Sequence, residues 1–242
     1  MTAPGFPAAV LWDFDGTLVD TEPLWLELER EELEALGGTW SPELAAELVG
    51  TTMTATAGIL LRHAGRPEPS PGEVEAVAGR LERAMHAHLG GGGLRWQPGV
   101  ERLLGELGAA GVPSALVSSS PASLLRAAVR ALPPGVFSAV VAGDHGHRPK
   151  PHPAPYLAAC ELLGVSAADC VVVEDSPTGA AAGTAAGAWV VAVRGVIPVE
   201  HATRRLVVDS LETIDLPLLR SLPRTGPAPR SGHRPPRRSE QT

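Results

Sequence analysis

Short apolar runs recur along the chain, and each of them ends in polar or acidic residues. Their length and their high valine content are typical of strands that are buried on both faces. Such strands belong to a sheet that carries helices on either side. The runs that we predict to be strands are 8–12, 114–117, 136–142, 170–173, 189–193 and 206–208.

Segments with helical character separate most of these strands, at 99–110, 121–132, 154–163 and 177–186. Two of them begin with Ser-Pro, at Ser120-Pro121 and Ser176-Pro177, which is typical of an N-cap serine followed by proline in the first helical turn. Alternating strands and helices predict an α/β fold with a doubly wound parallel sheet. Ligands of such sheets bind at the carboxyl ends of the strands.

One region breaks the alternation, because no strand pattern occurs between the first and second strands. Amphipathic stretches occupy it instead, at 24–36, 42–49, 54–63 and 73–89. Four such helices are enough for a small bundle, so we predict an inserted all-helical domain over 21–93. The core then comprises 1–20 and 94–222. Four glycines at 90–93 indicate either a flexible surface loop or a hinge for the insertion.

The charge along the chain is unevenly distributed. Of the 242 residues 44% are hydrophobic, and the formal net charge is −7. Residues 223–242 carry five arginines and one glutamate, a net charge of +4, so that residues 1–222 carry −11. An acidic body does not favour nonspecific binding to nucleic acid. The Pro- and Arg-rich end, 223–242, is predicted to be a disordered basic tail.

Several features predict a cytoplasmic protein. No apolar run approaches the roughly 20 residues of a membrane-spanning helix. The N-terminal sequence lacks the basic stretch of a signal peptide. Cys160 and Cys170 are too few for a disulfide framework, so we expect reduced thiols in the core. We therefore expect a monomer or weak dimer with no nucleic-acid or membrane partner.

Two carboxylates follow the first predicted strand directly. Because side chains alternate along a strand, Asp13 and Asp15 point to the same side, with Phe14 opposite. Two such carboxylates repel one another, and a cation beside them removes that cost. Gly16 permits a sharp exit from the strand and a close approach of backbone to a ligand. Solvated acids at an ordinary strand end are the alternative interpretation.

A second acidic pair, Glu174 and Asp175, ends another valine-rich strand. If the first and fourth strands are neighbours, the two pairs converge at one edge of the sheet. Mg²⁺ prefers a few carboxylates together with water and phosphate oxygens. The sequence therefore predicts a magnesium site at this edge.

Two further residues indicate that an anion binds at the same edge of the sheet. Ser118 ends the second strand and offers a hydroxyl and backbone N–H groups near a helix start. Lys150 is the single lysine among the twenty basic residues, and prolines flank it on both sides. A compact ammonium on a long stem suits phosphate or an anionic carboxylate. Acids, hydroxyl and lysine together suggest phosphoryl transfer.

In order and spacing, four segments resemble the motifs of the haloacid dehalogenase (HAD) superfamily of phosphohydrolases, which implies a Rossmann-like core. The helical insertion is similar to the cap domain of the subgroup that includes beta-phosphoglucomutase, and the run Asp20-Thr21-Glu22-Pro23-Leu24-Trp25 is similar to the start of that cap. The four segments are Asp13-Phe14-Asp15-Gly16-Thr17, Ser118, Lys150-Pro151 and Glu174-Asp175-Ser176-Pro177-Thr178-Gly179.

The resemblance implies a role for each motif residue. Asp13 attacks phosphorus to give an aspartyl phosphate, and Asp15 acts as the general acid and base. Because the dehalogenases of the superfamily lack this second acid, Asp15 also argues against dehalogenation. Mg²⁺ is held by Asp13, the backbone carbonyl of Asp15, Asp175 and Glu174, the last directly or through water. The predicted phosphate-binding residues are Asp13, Gly16, Thr17, Ser118, Ser119 and Lys150.

In this subgroup the cap loops contact the leaving group. The predicted substrate contacts are Trp25, Gly50, Thr51, Thr52 and Met53. Packing within the cap is the alternative role for Trp25, Met53 and His88. A mutase of the beta-phosphoglucomutase type is expected to carry an arginine where this chain has Met53, although Arg62 or another cap residue could replace it.

The leading hypothesis is therefore an Mg²⁺-dependent phosphatase that acts on a small phosphorylated metabolite such as a sugar phosphate. A phosphomutase on the same scaffold is the first alternative. A non-catalytic phospho-acceptor or interaction module that works through the basic tail is the second.

Overall fold

A six-stranded, fully parallel sheet forms the centre of the computed structural model, which describes residues 6–48, 51–90, 95–130 and 135–222. The spatial order of the strands is β3-β2-β1-β4-β5-β6. The fold confirms the predicted doubly wound α/β class. The strands are β1 (Ala9–Trp12), β2 (Ser114–Val117), β3 (Ala139–Val141), β4 (Cys170–Glu174), β5 (Trp189–Val193) and β6 (Arg205–Val208).

Successive side chains of the central strands point to opposite faces of the sheet, so each face carries a hydrophobic layer. In β1, Val10 and Trp12 enter one layer, and Ala9 and Leu11 enter the other. All four side chains are fully buried. The first layer packs against α5 (Val100–Ala109), α6 (Ala122–Arg130) and α9 (Leu216–Ser221), and the second against α7 (Ala154–Leu163) and α8 (Pro177–Ala185).

The insertion consists of α1 (Glu22–Ala35), α2 (Pro42–Leu48), α3 (Met53–His63) and α4 (Pro71–Gly90), which confirms the predicted all-helical character. It has a hydrophobic cluster of its own, built around Leu33, Leu60, Leu61 and Leu81. The exact domain limits at 21–93 remain a prediction. Residues 91–93 of the glycine run and the predicted tail, 223–242, lie outside the described residues.

Backbone hydrogen bonds pair the two segments that join the insertion to the core. The amide of Asp20 donates to the carbonyl of Arg95 over 2.8 Å, and that of Gln97 donates to the carbonyl of Leu18 over 2.9 Å. A further bond joins α4 to α6, because the hydroxyl of Ser123 donates to Glu82 over 2.9 Å. These contacts hold the helical insertion over the carboxyl end of β1.

The structure differs from the sequence predictions at four short elements. The strand expected over 136–142 is ordered as a strand only from Ala139 to Val141. The short helix α9 and the two turns of 3₁₀ helix, Ala167–Asp169 and Leu211–Thr213, were not predicted. Six residues or fewer give too little periodicity for detection.

The N-cap prediction is right for Ser176, whose side chain accepts from the amide of Gly179 over 3.0 Å. It is wrong for Ser120, because the Ala122 amide at the start of α6 donates to Asp144 over 2.9 Å. The hydroxyl of Ser120 donates to Asp15 instead.

Two further observations concern the cysteines and the helices. Cys160 and Cys170 are buried free thiols whose sulfur atoms lie 3.9 Å apart. Among the described helices, none combines the length and the apolar composition that crossing a bilayer requires.

Candidate active site

The loop after β1 carries the two predicted catalytic carboxylates. The amide of Asp13 continues the parallel ladder by donating to the carbonyl of Val173 over 3.0 Å. Gly16 follows with a positive φ of 77°, and a side chain there would place its Cβ only 2.2 Å from Asp175 Oδ2. Glycine is therefore required both by the backbone conformation and by the close approach of the second acidic pair.

Neighbouring strands bring the two acidic pairs together, as the sequence predicted. β1 and β4 pair directly, with Trp12 in register with Val173, so that Asp13 lies beside Glu174. Carboxylate oxygens of Asp13, Glu174 and Asp175 all lie within 4.8 Å of one another. Among the described residues these three are the group whose spacing could hold a metal ion.

Burial raises the pKa of two members of this cluster. The pKa of Asp13 lies well above its ordinary value because the carboxyl is desolvated and Glu174 lies nearby. Desolvation and the charge of Glu174 likewise raise the pKa of Asp175 from 3.8 to about 7. Full ionisation of the three carboxylates is therefore unfavourable unless a cation is bound nearby.

Lys150 occupies the centre of the cluster rather than the protein surface. Its Nζ donates to Asp13 Oδ1 and to Glu174 Oε1, each over 2.6 Å, and to the carbonyl of Val117 over 3.0 Å. Burial alone would lower the pKa of this ammonium, but the two carboxylates outweigh burial and raise it. The lysine is therefore charged and neutralises one of the three acids.

Glu174 is held more tightly than the other two acids. Its side chain is fully buried and accepts from the hydroxyl of Tyr156 over 2.6 Å and from that of Ser176 over 3.0 Å. Burial, followed by the charge of Glu174, raises the pKa of Tyr156, so the phenol stays protonated as a donor. These bonds fix the carboxylate beside Lys150.

The cluster fits a hard divalent cation. Three carboxylates and one ammonium leave an excess of negative charge in a buried place, and every available ligand atom is an oxygen. Thr17 donates to Asp175 Oδ1 over 2.9 Å and so orients one ligand from outside. The side chain of Asp15 lies outside the cluster, and the predicted use of its backbone carbonyl remains a prediction.

Asp15 bridges the core and the insertion through both carboxylate oxygens. Oδ1 accepts from Thr21 Oγ1 over 3.0 Å and from Trp25 Nε1 over 3.4 Å. Oδ2 accepts from Ser120 Oγ over 2.6 Å and from Ser118 Oγ over 3.5 Å. Asp15 is thus oriented by donors on both sides and separated from the metal-ligand cluster.

A cavity of about 380 Å³ lies between the carboxyl ends of the strands and the helical insertion. Its lining includes most of the residues that the sequence selected, namely Asp13, Asp15, Trp25, Thr51, Thr52, Met53, Ser118, Ser119, Lys150 and Asp175. A larger cavity of about 630 Å³ lies near the amino end of β2. It contains none of these acids, so the smaller cavity is the candidate active site.

Some predicted site residues lie elsewhere. Gly16 and Thr17 lie next to Asp175 and do not line the cavity. Their predicted contact with phosphate remains a prediction. Gly50 lies outside the described residues. Arg62 and His88 are exposed and do not line the cavity.

Several residues of the site were not predicted from the sequence, among them two hydrogen-bond donors and two glutamates. Ser120 makes the shortest hydrogen bond to Asp15, Tyr156 contacts Glu174, and Glu29 and Glu82 line the cavity from the insertion. One signal was available for Glu29, which follows Trp25 by four residues and therefore shares its helix face. The role of Tyr156 depends on a contact that α7 makes with β4, and no local pattern reveals it.

Comparison with known proteins identifies the family of the chain. The haloacid dehalogenase-like hydrolase family matches residues 7–187. Hexitol phosphatase A from Escherichia coli K12 is 36% identical over 214 residues, which cover 84% of this chain and 91% of that protein.

Solved structures give the same result for the fold. CbbY from Rhodobacter sphaeroides, in complex with xylulose-(1,5)bisphosphate, superposes with a TM-score of 0.72 at 27% identity, covering 85% of this chain and 95% of that one. A beta-phosphoglucomutase from Clostridium difficile shares the fold, with a TM-score of 0.72 at 19% identity over 88% of this chain and 95% of that one.

The sequence comparisons and the fold shared with CbbY point to one family. The predicted resemblance to the family is thereby confirmed, and the Clostridium difficile beta-phosphoglucomutase shares the fold. The chain belongs to the haloacid dehalogenase-like hydrolase family.

Proposed function

We propose that this HAD-family phosphatase hydrolyses the monophosphate ester of a small metabolite, with sugar and polyol phosphates as the leading class, through a phosphorylated Asp13. One observation carries the proposal. The ammonium of Lys150 bridges Asp13 and Glu174, beside Asp175, at the wall of a cavity large enough for a small metabolite. A nucleophile, a cation-binding cluster and a fixed positive charge thereby face one space.

The first step is attack by Asp13 on phosphorus. Lys150 holds Oδ1 of this carboxylate, which leaves Oδ2 to form the new O–P bond. The bond between phosphorus and the ester oxygen breaks, and Asp15 gives its proton to the departing alkoxide. The hydroxyls of Ser118 and Ser120 and the indole of Trp25 orient Asp15 for this transfer.

The second step hydrolyses the acyl phosphate. Asp15, now ionised, takes a proton from a water molecule that attacks the phosphorus, and the Asp13–phosphorus bond breaks. Inorganic phosphate leaves, and both aspartates return to their starting states. Ser118, Ser119 and Lys150 line the space that the phosphoryl oxygens would occupy, which supports their role as phosphate ligands.

Mg²⁺ is the proposed cation, held by Asp13, the backbone carbonyl of Asp15 and Asp175, with Glu174 as a ligand directly or through water. When bound, it supplies positive charge that offsets the charge of the carboxylates and of the phosphoryl group. The oxygen-only ligand set supports a hard cation, and the hydrogen bond from Thr17 supports Asp175 as a fixed ligand.

Phosphatase activity is favoured over the phosphomutase alternative. A mutase must hold a second phosphate, yet Met53 lines the cavity where an arginine is expected, and Arg62 is exposed outside it. Hexitol phosphatase A, a relative at 36% identity, supports polyol phosphates as substrates. A phospho-acceptor module that acts through the tail would have no use for a cavity between core and insertion.

We also propose a cytoplasmic location and a monomeric or weakly dimeric state. The two buried free thiols support a reducing compartment. In the described part of the chain, the exposed large hydrophobic residues are few, namely Leu157, Leu162, Val196 and Ile197. So few do not form the core of a large obligate interface.

Replacement of the nucleophile tests the proposed chemistry. We expect Asp13→Asn to lower hydrolysis of an aryl phosphate by roughly three orders of magnitude or more, because an amide cannot form the acyl phosphate. Phosphate release measures the rate, and circular dichroism checks the fold. Asp209→Asn removes an exposed carboxylate at the end of β6 and serves as the control. Near-normal turnover in Asp13→Asn would refute the assignment of the nucleophile.

A second prediction concerns the shape of the positively charged side chain at position 150. Lys150→Arg keeps the positive charge, but a planar guanidinium cannot meet three oxygens that converge on one Nζ. We expect kcat to fall roughly 100-fold from misplacement of Asp13. The reverse change at an exposed site, Arg66→Lys, should leave kcat unchanged. A wild-type rate in Lys150→Arg would show that only the charge matters.

A third prediction couples metal binding to pH. In the metal-free protein the raised pKa values of Asp13 and Asp175 make the folded state bind more protons than the unfolded state between pH 3.8 and about 7. The free energy of unfolding of the metal-free protein should therefore fall as pH rises through this window. Mg²⁺ must displace these protons, so the rise in Tm that it causes should grow over the same window.

Thermal unfolding with and without Mg²⁺ at several pH values measures this coupling. Asp175→Asn removes one ligand, and the Mg²⁺-induced rise in Tm should then be small at every pH. An effect of Mg²⁺ that is equal at all pH values, or that survives in Asp175→Asn, would contradict the proposed cation site.

A further inference from the structure

Lys150 divides its ammonium group between two carboxylates, and one of them is the proposed nucleophile. Its Nζ lies 2.6 Å from Asp13 Oδ1 and 2.6 Å from Glu174 Oε1. A stronger attraction toward Glu174 would draw positive charge away from Asp13. The position of the ammonium therefore depends on what else donates to the Oε1 atom of Glu174.

Tyr156 is the second donor to this oxygen. Its hydroxyl donates to Glu174 Oε1 over 2.6 Å, since an ionised carboxylate can only accept. The Nζ of Lys150 also lies 5.0 Å from the centre of the tyrosine ring, within the range of a cation–π contact. The single tyrosine of the chain thus contacts both members of the ion pair.

Glu174 cannot present its other carboxylate oxygen to the lysine. Oε2 accepts from the backbone amides of Asp175 and Ser176, over 3.2 and 3.3 Å, and from the hydroxyl of Ser176 over 3.0 Å. These donors belong to the turn that leads into α8, and they hold the carboxylate in one orientation. Lys150 and Tyr156 therefore share the single oxygen Oε1.

The phenol of Tyr156 is separated from the space that a substrate would fill. Its ring is fully buried in the hydrophobic layer between the sheet and α7. Neither Tyr156 nor Glu174 lines the candidate active-site cavity, whereas Lys150 and Asp13 do. Any influence of the phenol on the reaction must therefore pass through Glu174 and Lys150.

We propose that Tyr156 is a positioning residue for phosphoryl transfer, which keeps Lys150 shared between Asp13 and Glu174. The inference rests on the proposed function, because it takes Asp13 as the nucleophile. Without the phenol, Glu174 Oε1 keeps one donor, and its charge attracts the ammonium more strongly. The ammonium then moves toward Glu174, and the contact that places Asp13 weakens.

Removal of the hydroxyl alone tests this role. Tyr156→Phe keeps the ring in its hydrophobic layer and deletes the donor. With the full-length chain, saturating Mg²⁺ and an aryl phosphate, we expect kcat to fall roughly tenfold because Asp13 is misplaced. KM should stay within about twofold, because the phenol does not line the cavity. Circular dichroism checks the fold.

Thr184→Val is the matched control, because it also deletes a hydroxyl from the layer of helices on this face. Thr184 Oγ1 donates to the carbonyl of Ala180 and accepts from Arg205, each over 2.8 Å, and it does not line the cavity. The variant should lower Tm and leave kcat unchanged. A merely structural role of Tyr156 would give the same pattern.

The lysine itself provides a readout that does not depend on turnover. Lys150 is the single lysine of the chain, so side-chain ¹⁵N labelling of lysine gives one NMR signal. Tyr156→Phe should shift this signal, and Thr184→Val should not. Replacement of the single tyrosine by 3-fluorotyrosine, a more acidic and stronger donor, should shift it in the opposite direction. This nearly isosteric residue keeps the test decisive if Tyr156→Phe fails to fold.

Three results would overturn the inference and leave the phosphatase proposal intact. They are a kcat in Tyr156→Phe within about twofold of the wild-type value, an equal loss of kcat in Tyr156→Phe and Thr184→Val, and a lysine signal that 3-fluorotyrosine leaves unchanged. Failure of the proposed function would look different, because the wild-type chain would then release no phosphate from any ester.

Discussion

The ion pairs of Lys150 are the interaction on which the rest of the site depends. Three carboxylates meet at the edge where β1 and β4 end, and burial raises the pKa of Asp13 and of Asp175. One ammonium, 2.6 Å from both Asp13 and Glu174, allows negative charge to persist there. A buried pair of this kind gives little net stability, and in the proposed mechanism its value lies in holding Asp13, the proposed nucleophile, in position.

The backbone is adapted to this crowding of charge. Gly16 and Gly179 lie where any side chain would collide with the acids, since a Cβ at Gly179 would lie 1.7 Å from Glu174 Oε1. The hydroxyl of Tyr156 donates to Oε1 of Glu174, and the hydroxyl of Ser176 donates to Oε2. Glycines therefore create the space, and hydroxyls complete the hydrogen bonding, around one lysine.

Residues that end buried strands were predictable from the sequence, and residues that act across helix packing were not. Asp13, Ser118 and Glu174 could be selected because each lies at the end of an apolar run. Side chains alternate along a strand, and the carboxyl ends of parallel strands share one edge of the sheet, so the positions of these residues follow from the sequence. The role of Ser120 was mistaken because a Ser-Pro helix start has the same sequence whether its hydroxyl caps the helix or bonds to Asp15. Glu82 reaches the cavity only because α4 packs on α6.

Covalent phosphorylation of Asp13 is the central claim, and direct trapping tests it most directly. In Asp15→Asn an aryl phosphate should still transfer its phosphoryl group, since its leaving group needs no proton, whereas the water step lacks its base. Acid quench, borohydride reduction and peptide mass spectrometry then locate the acyl phosphate. The account predicts one phosphoryl group per chain, with Asp13 converted to homoserine on reduction. Release of the aryl alcohol with Asp13 unmodified, or with another residue phosphorylated, would contradict the account.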